Sequence, residues 1–215
     1  ENTEYGYHYA AMREGPKAED GSDTWSVRIT PMMFPLGRLI PAHAFGFYVF
    51  EIPMDDHVTS TYIVFDSPTP LDRQEIIDTM GLADTRFWND EDCNFRASWD
   101  DRLGQDRQAM LHNNWSGFSG IEQEDAIIAM SMGPVIDRSK EYLVPADEAV
   151  IRLRRRLLES VRLNEAGEDP IGLHIEDYSK VVAVADTVIP KGARWQDLVP
   201  NNLGIGGGKA AQAAE

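Results

Sequence analysis

The fold is decided by the stretch His43-Ala-Phe-Gly-Phe-Tyr-Val-Phe-Glu-Ile52, Pro53-Met-Asp-Asp-His57 and Thr59-Ser-Thr-Tyr-Ile-Val-Phe65. Its first and last segments are rich in aromatic and β-branched residues, which favour strands. The short polar segment between them is typical of a turn, so the stretch predicts two neighbouring antiparallel strands.

Two more strand patterns precede this hairpin. Residues 3–13 are rich in aromatic side chains, and Trp25 to Thr30 alternates apolar and polar residues, as a strand with one buried face does. Gly15-Pro16 and Asp20-Gly21 mark a charged turn between the two patterns. Four strands with short connections predict an antiparallel sheet.

After residue 66 the pattern changes from strands to helices. Asp72 to Met80 predicts a short helix that ends at Gly81, and residues 84–106 predict a long polar loop. A second helix is predicted from Glu122 to about Met132, because Gly133 and Pro134 end the helical pattern there.

The longest helix pattern covers Asp147 to about Asn164. An apolar stripe recurs there at helical spacing, formed by Val150, Leu153, Leu157 and Val161 and widened by Ile151 and Leu158. One more strand is predicted from Ser179 to Val188. Strands followed by segregated helices indicate an α+β fold, in which a long C-terminal helix crosses a curved antiparallel sheet. We expect a cavity between helix and sheet that suits a small apolar ligand.

Length and charge restrict the organisation and the partners. The 215 residues predict one domain over residues 1–203, followed by a Gly- and Ala-rich tail, 204–215, that we expect to be disordered. The formal net charge of −16 disfavours nucleic acids and anionic membranes as partners. No apolar run approaches the roughly 18 residues of a membrane span. The single cysteine, Cys93, excludes an internal disulfide and favours a cytoplasmic protein.

Three carboxylates, Glu122, Glu124 and Asp125, lie in the first turn of the second predicted helix. Acidic side chains at a helix start are common because they interact favourably with the helix dipole. A metal ligand would have to turn inward from the same segment. Helical spacing places both Glu122 and Asp125 on the face of Ile128, so the pattern leaves the two carboxylates equivalent.

Several segments, in order along the chain, resemble the Rieske-type aromatic-ring oxygenases, in particular their phthalate dioxygenase and LigXa-like demethylase branch. The matching segments are Tyr5 to Arg13, Arg28 to Pro35, Ile52 to His57, Ser116 to Asp125, Met132 to Glu141 and Ala149 to Leu158. The resemblance implies a helix-grip (START/Bet v 1-like) fold and an oxygenase α subunit that hydroxylates or O-demethylates an aromatic acid or methoxylated aromatic.

The resemblance also implies the cofactors and the partners. A mononuclear Fe(II) would be held by two histidines and Asp125, with positions left open for O₂. A [2Fe–2S] Rieske cluster in an N-terminal domain would pass electrons from NAD(P)H through a separate reductase. Family members assemble as homo-oligomers, trimers or hexamers, and are cytoplasmic.

The sequence departs from this family pattern in two ways. One cysteine is too few for a Rieske cluster, which needs two Cys and two His. The closest histidines, His43 and His57, do not form the local pair that ligates iron in the family. We therefore expect the chain to be the C-terminal part of a longer subunit, with the N-terminal Rieske domain absent, one iron ligand of three retained and no activity when isolated.

Four side chains are candidates for contact with a substrate: Arg38, Arg13, His8 and His112. An arginine fork suits an aromatic carboxylate, and Arg38 lies between apolar neighbours. A surface role explains Arg38 equally well. The alternative function is a stand-alone helix-grip domain that binds a small apolar ligand and does no redox chemistry.

Overall fold

The computed structural model describes residues 1–43, 45–88, 92–112 and 114–199. The strands in these ranges are β1 (Asn2–Thr3), β2 (Gly6–Glu14), β3 (Thr24–Met33), β4 (Gly37–Ile40), β5 (Gly46–Pro53), β6 (Thr59–Asp66) and β7 (Val184–Pro190). The helices are α1 (Arg73–Met80), α2 (Ile121–Ser131) and α3 (Glu148–Glu165). The tail predicted to be disordered, 204–215, lies outside the described residues.

The chain forms two compact units, each described here by itself. The sheet unit contains Glu1–Pro68 and the residues from Tyr142 onward, and the insert unit contains Thr69–Glu141. All the strands belong to the sheet unit, together with α3, whereas α1 and α2 belong to the insert unit.

The strands form one antiparallel sheet in the order β1-β2-β3-β4-β5-β6, with β7 paired to β3. This confirms the predicted α+β class and the antiparallel sheet. β3 pairs with β2 along nine residues, from Trp25 to Met33. Its first half also pairs with β7, and its last two residues pair with β4. β4 was not expected from the sequence, because it is only four residues long and lies between Pro35 and Pro41.

Alternation along β2 and β3 gives the sheet two different faces. The first, which we call the helix face, carries Tyr7, Tyr9, Arg28 and Thr30. On it the Tyr7 hydroxyl donates a hydrogen bond of 3.1 Å to the Ala149 carbonyl of α3. On the other, the opposite face, the fully buried Val27 and Ile29 pack with Ile189 and Val199. Burial of such side chains stabilises the fold by roughly 1.5–3 kcal/mol each.

α3 is the long helix of a helix-grip fold, and it contacts the sheet at the start of β2. Arg156 Nη2 donates a hydrogen bond to the Thr3 carbonyl at 3.2 Å. One turn further along the helix, Ser160 is buried, and its Oγ accepts a hydrogen bond from the Ile171 amide at 3.1 Å. Along the same helix Arg152 forms an ion pair with Glu148, and Arg156 forms one with Glu159.

The apolar stripe predicted for this helix is only partly buried. Val150 is 39%, Leu158 56% and Val161 52% exposed, whereas the other members of the stripe are half-buried: Ile151, Leu153 and Leu157. The hairpin of β1 and β2 presents the backbone carbonyls of Thr3 and Gly6 to this helix, and such buried carbonyls need donors. The side of α3 that carries Arg156 supplies a donor there. None of the helices in the described ranges has the length and apolarity to cross a bilayer.

Within the insert unit, α1 and α2 meet at two glycines. A Cβ on Gly120 would lie 2.3 Å from Gly81 Cα, so neither position has room for a side chain. The fully buried Gln123 fills the space beside them: its Nε2 donates to the Gly81 carbonyl at 2.9 Å. Its Oε1 accepts from the Ser119 amide and hydroxyl, both at 3.0 Å.

We expect Gln123→Leu to destabilise the insert unit, because the buried Gly81 carbonyl would lose one of its two donors, the other being Trp88 Nε1, and the Ser119 amide and hydroxyl would lose their acceptor. The expected loss is about 1–3 kcal/mol in the free energy of unfolding. Urea denaturation measures it, with the exposed Gln108→Leu as the matched control. Equal stability of the two variants would contradict a structural role for the buried amide.

Candidate metal ligand and substrate face

The carboxylates at the start of α2 differ in what they contact. Ser116 Oγ donates a short hydrogen bond to Glu124 Oε1. Glu122 is half-buried and also has an interaction partner. Asp125 is exposed and has no hydrogen-bond or ion-pair partner within the ranges that the structure describes. Asp125 is therefore the one of the three whose oxygens are free to bind a ligand, a distinction that helical spacing does not make.

The surroundings of Asp125 are apolar and open. Ile121 is 47%, Ile128 63% and Met132 50% exposed, and with Asp125 they follow the i, i+4, i+7, i+11 spacing of one helix face. We call these four residues the outward face of α2. The inward side carries Gln123 and packs within the insert unit, so the outward face combines a single carboxylate with uncovered apolar side chains.

A complete metal site is not formed by the described residues. No group of three His, Cys, Asp or Glu side chains within them is placed to hold a metal ion. The exposed His112 follows a 3-10 turn, Ala109–Leu111, in the same unit as Asp125. A carboxylate is a suitable ligand for Fe(II). The residues present thus fit one position of an iron site.

Arg38 of β4 is on the helix face, where its guanidinium makes a two-fold contact with Glu51 of β5. Nη1 lies against Oε2, and Nη2 donates to Oε1 at 3.1 Å. Because a bidentate ion pair already uses the planar edge of the guanidinium, the geometry favours a structural role for Arg38 over a substrate carboxylate. Arg13, the weaker candidate, is exposed near the end of β2.

Arg28 of β3 is a cation that the sequence patterns did not select. It is half-buried, and its register opposite Ala11 places it on the same helix face as Tyr9 and Thr30. Nη2 donates to the Pro41 carbonyl at 3.3 Å, and no carboxylate pairs with it among the described residues. The sequence did contain a signal for Arg28. Apolar and polar residues alternate from Trp25 to Thr30, which places Arg28 on the other face of the strand from the buried Val27 and Ile29.

His8 is fully buried, but on the opposite face rather than facing α3. Its Nε2 is hydrogen-bonded to the Tyr5 hydroxyl at 2.5 Å, and its Nδ1 is buried without a partner in the described part of the chain. Burial lowers the pKa of His8 to about 4. Burial also raises the pKa of the Tyr5 hydroxyl. The pair is therefore neutral near pH 7.

Residues 1–212 match the family model described as LigXa C-terminal domain-like. The chain belongs to this family. The match confirms the resemblance drawn from the ordered segments.

Two curated proteins extend the comparison beyond the LigXa C-terminal domain-like family model. The phthalate 4,5-dioxygenase oxygenase subunit of Pseudomonas putida is 29% identical, over 92% of this chain and 45% of that protein. The 3-chlorobenzoate-3,4-dioxygenase oxygenase subunit of Comamonas testosteroni is 28% identical, over 90% of this chain and 48% of that protein. The chain thus spans about half the length of these relatives.

For this LigXa C-terminal domain-like chain we expect stability to fall with acid through His8. The unfolded imidazole takes up a proton below pH 6.5, whereas the folded one stays neutral down to about pH 4. The stabilisation is complete above pH 6.5 and is lost as the pH falls, by about 2 kcal/mol at pH 5.

Urea denaturation between pH 7.5 and 5 tests this expectation, because most carboxylates titrate below that range. His8→Gln keeps a hydrogen-bonding group for Tyr5 but does not titrate, so its stability should change less with pH. Parallel pH dependences of the wild type and His8→Gln would refute the assignment. Exposed His174→Gln serves as the control and should follow the wild type.

Proposed function

We propose that the chain is the C-terminal part of the catalytic domain of a Rieske non-haem iron oxygenase α subunit. The whole subunit would hydroxylate or O-demethylate an aromatic acid with O₂, in the cytoplasm, and would draw electrons from NAD(P)H through a reductase. The observation that carries the proposal is the similarity over nine-tenths of the chain to two oxygenase subunits. Both of these are named for aromatic carboxylates.

Asp125 is the proposed iron ligand of this chain. Its carboxylate has no hydrogen-bond or ion-pair partner within the described residues, so both oxygens are available to a metal ion. Together with two histidines this carboxylate would hold a ferrous ion, which would supply the redox chemistry with O₂. The histidines would come from outside the described residues, in a part of the subunit that covers the outward face of α2.

Covering that face would give Asp125 a dry environment. The neighbouring Ile121, Ile128 and Met132 are apolar, so a segment packed on them would exclude water from the carboxylate and from any ion it holds. Their burial would also contribute to the stability of the assembled subunit. The role of the chain at the metal is thus to supply one fixed negative charge in an apolar wall.

Arg28 is the proposed receptor for the carboxylate of an aromatic acid. It is half-buried on the helix face and has no carboxylate partner among the described residues, whereas Arg38 is paired with Glu51. A guanidinium in partly apolar surroundings binds a carboxylate strongly, because water competes less for both charges. Tyr9 and Thr30 flank it with an aromatic ring and a hydroxyl.

A helix-grip binding domain without redox chemistry is the second candidate function. The observation that favours it is the exposure of Asp125 to solvent in the described structure. In that case the carboxylate would be an ordinary surface charge. Iron binding by the complete subunit decides between the two candidates, because a binding domain needs no metal.

For the complete subunit we expect Asp125→Ala to lose the mononuclear iron and to lower kcat by at least about 100-fold, since removal of a supporting group alone costs 10–100-fold. Iron content per subunit and product formation measure both effects. The visible spectrum of the Rieske cluster reports that the rest of the subunit is folded.

Glu122→Ala is the matched control, one helical turn away and with its own partner. It should keep the iron. Equal iron content in wild type and Asp125→Ala would exclude Asp125 as a ligand, and absence of mononuclear iron from the wild-type subunit would favour the binding domain.

We expect Arg28→Gln to raise KM for an aromatic carboxylate about 10–100-fold, because a charge-assisted hydrogen bond contributes about 1.5–3 kcal/mol. The KM of an uncharged methoxylated analogue should change little. Arg38→Gln, which breaks the pair with Glu51, should lower stability slightly and leave KM unchanged. A larger effect on KM from Arg38→Gln would reverse the assignment.

A further inference from the structure

The loop that leads into α2, residues 114–120, is held in shape by its own hydrogen bonds. Asn114 Nδ2 donates to the Phe118 carbonyl at 2.7 Å, and Asn114 Oδ1 accepts from the Gly117 amide at 2.9 Å. The Phe118 amide donates to Ser116 Oγ at 3.2 Å. Ser116 and Gly117 are buried. We call residues 114–120 the anchor loop.

The anchor loop is also fixed to the segment before it in the insert unit. Gln105 Nε2 donates to the Ser116 carbonyl at 2.8 Å, and the Asp106 amide donates to the Gly117 carbonyl at 2.9 Å. Gly117 has a φ of +77°, and a Cβ there would lie 2.7 Å from the Asp106 carbonyl oxygen. The close approach therefore requires glycine, and the loop is held without any contribution from α2.

Two consecutive side chains of α2 bind this loop. The N-cap residue of the helix, Gly120, has no side chain and makes no side-chain cap. Instead, Gln123 Oε1 accepts from the Ser119 amide at 3.0 Å, and Glu124 Oε1 accepts the short hydrogen bond from the Ser116 hydroxyl. The start of α2 is thus held by its third and fourth residues, and not by the usual cap.

These two attachments set the direction of the next side chain. Successive side chains project about 100° apart around a helix, so two of them bound on one side fix the rotation of the helix about its axis. Asp125 follows directly and is exposed, whereas Glu124 is half-buried against the loop. Of the two adjacent carboxylates, only that of Asp125 belongs to the outward face of α2.

We propose that Ser116 and Glu124 are positioning residues for the metal ligand. Their hydrogen bond holds the first turn of α2 to the anchor loop, so that the Asp125 carboxylate keeps a single direction towards the ion. The bond also holds the Glu124 carboxylate on the loop, away from the outward face. This inference rests on the proposed function, because it requires Asp125 to be the iron ligand.

The affinity of the complete subunit for Fe(II) tests the proposal without turnover. Ser116→Ala and Glu124→Ala should each raise the dissociation constant of the mononuclear iron about 10–100-fold, as removal of groups that orient a metal ligand does. Equilibration with a competing chelator measures it. Glu124→Gln keeps an acceptor oxygen for Ser116 but has no charge, so it should restore most of the affinity. Equal weakening by Glu124→Gln and Glu124→Ala would overturn the proposal, because charge and not position would then matter.

Asp72→Ala controls for a general loss of stability in the insert unit. Asp72 caps α1, where its Oδ1 accepts from the Gln74 and Glu75 amides at 2.8 and 3.2 Å. Its removal should lower the urea midpoint, as Ser116→Ala does, but leave the Fe(II) affinity unchanged. If Asp72→Ala weakened iron binding as much as Ser116→Ala, the positioning role would be refuted.

Amide hydrogen exchange on the 215-residue chain tests the attachment in the absence of metal. Ser116→Ala should speed exchange of the Glu124 and Asp125 amides at least about tenfold, because the first turn of α2 would open more often. Unchanged exchange would contradict the proposal whatever the iron does.

Asp125→Ala, measured in the same series, separates this inference from the proposed function. Loss of iron in Asp125→Ala, with wild-type affinity in Ser116→Ala and Glu124→Ala, would reject the positioning role and leave the proposed function standing. Iron retained in Asp125→Ala would reject the proposed function itself.

Discussion

The hydrogen-bonded ladder of β3 is the interaction on which the rest of the sheet unit depends. β3 joins β2, β4 and β7, so its backbone holds strands from both ends of the chain in one sheet. The pleat of this one strand also separates the two faces. Val27 and Ile29 point into the core, whereas Arg28 points to the face on which Tyr7 contacts α3. A slip of one residue would exchange the two sets, so the core and the candidate carboxylate receptor are specified together.

Much of the fold could be predicted from local patterns. The hairpin of β5 and β6 and the bounds of α1, α2 and α3 agree with expectation to within a few residues, because strong periodicity and clear stop signals act locally. β4 has too few residues for a period to be seen. The hydrogen bond from Arg156 of α3 to the Thr3 carbonyl also escaped prediction, since the two residues lie more than 150 positions apart in sequence.

For the candidate site, too, local patterns predicted some features, whereas contacts between residues distant in sequence decided others. Resemblance, and not spacing, selected Asp125, and the contacts of Glu122 and Glu124 then distinguished it from its neighbours. Arg38 looked available in the sequence because its partner, Glu51, lies on the neighbouring strand. Pairing across strands depends on register, which single-sequence patterns specify poorly. His8 was expected to face a ligand for the same reason, although it is buried against Tyr5.

The contact between Gly81 and Gly120 has a consequence for how this protein can change over evolution. The backbones of Gly81 and Gly120 are in direct contact at the inner side of α2, and even a methyl group has no space there. The residues of the outward face of that helix take no part in this contact. Ile121, Ile128 and Met132 can therefore be substituted without disturbing the contact between Gly81 and Gly120, and Asp125 keeps its position on the helix. Substitutions on the outward face of α2 can thus change what packs there without moving the proposed metal ligand.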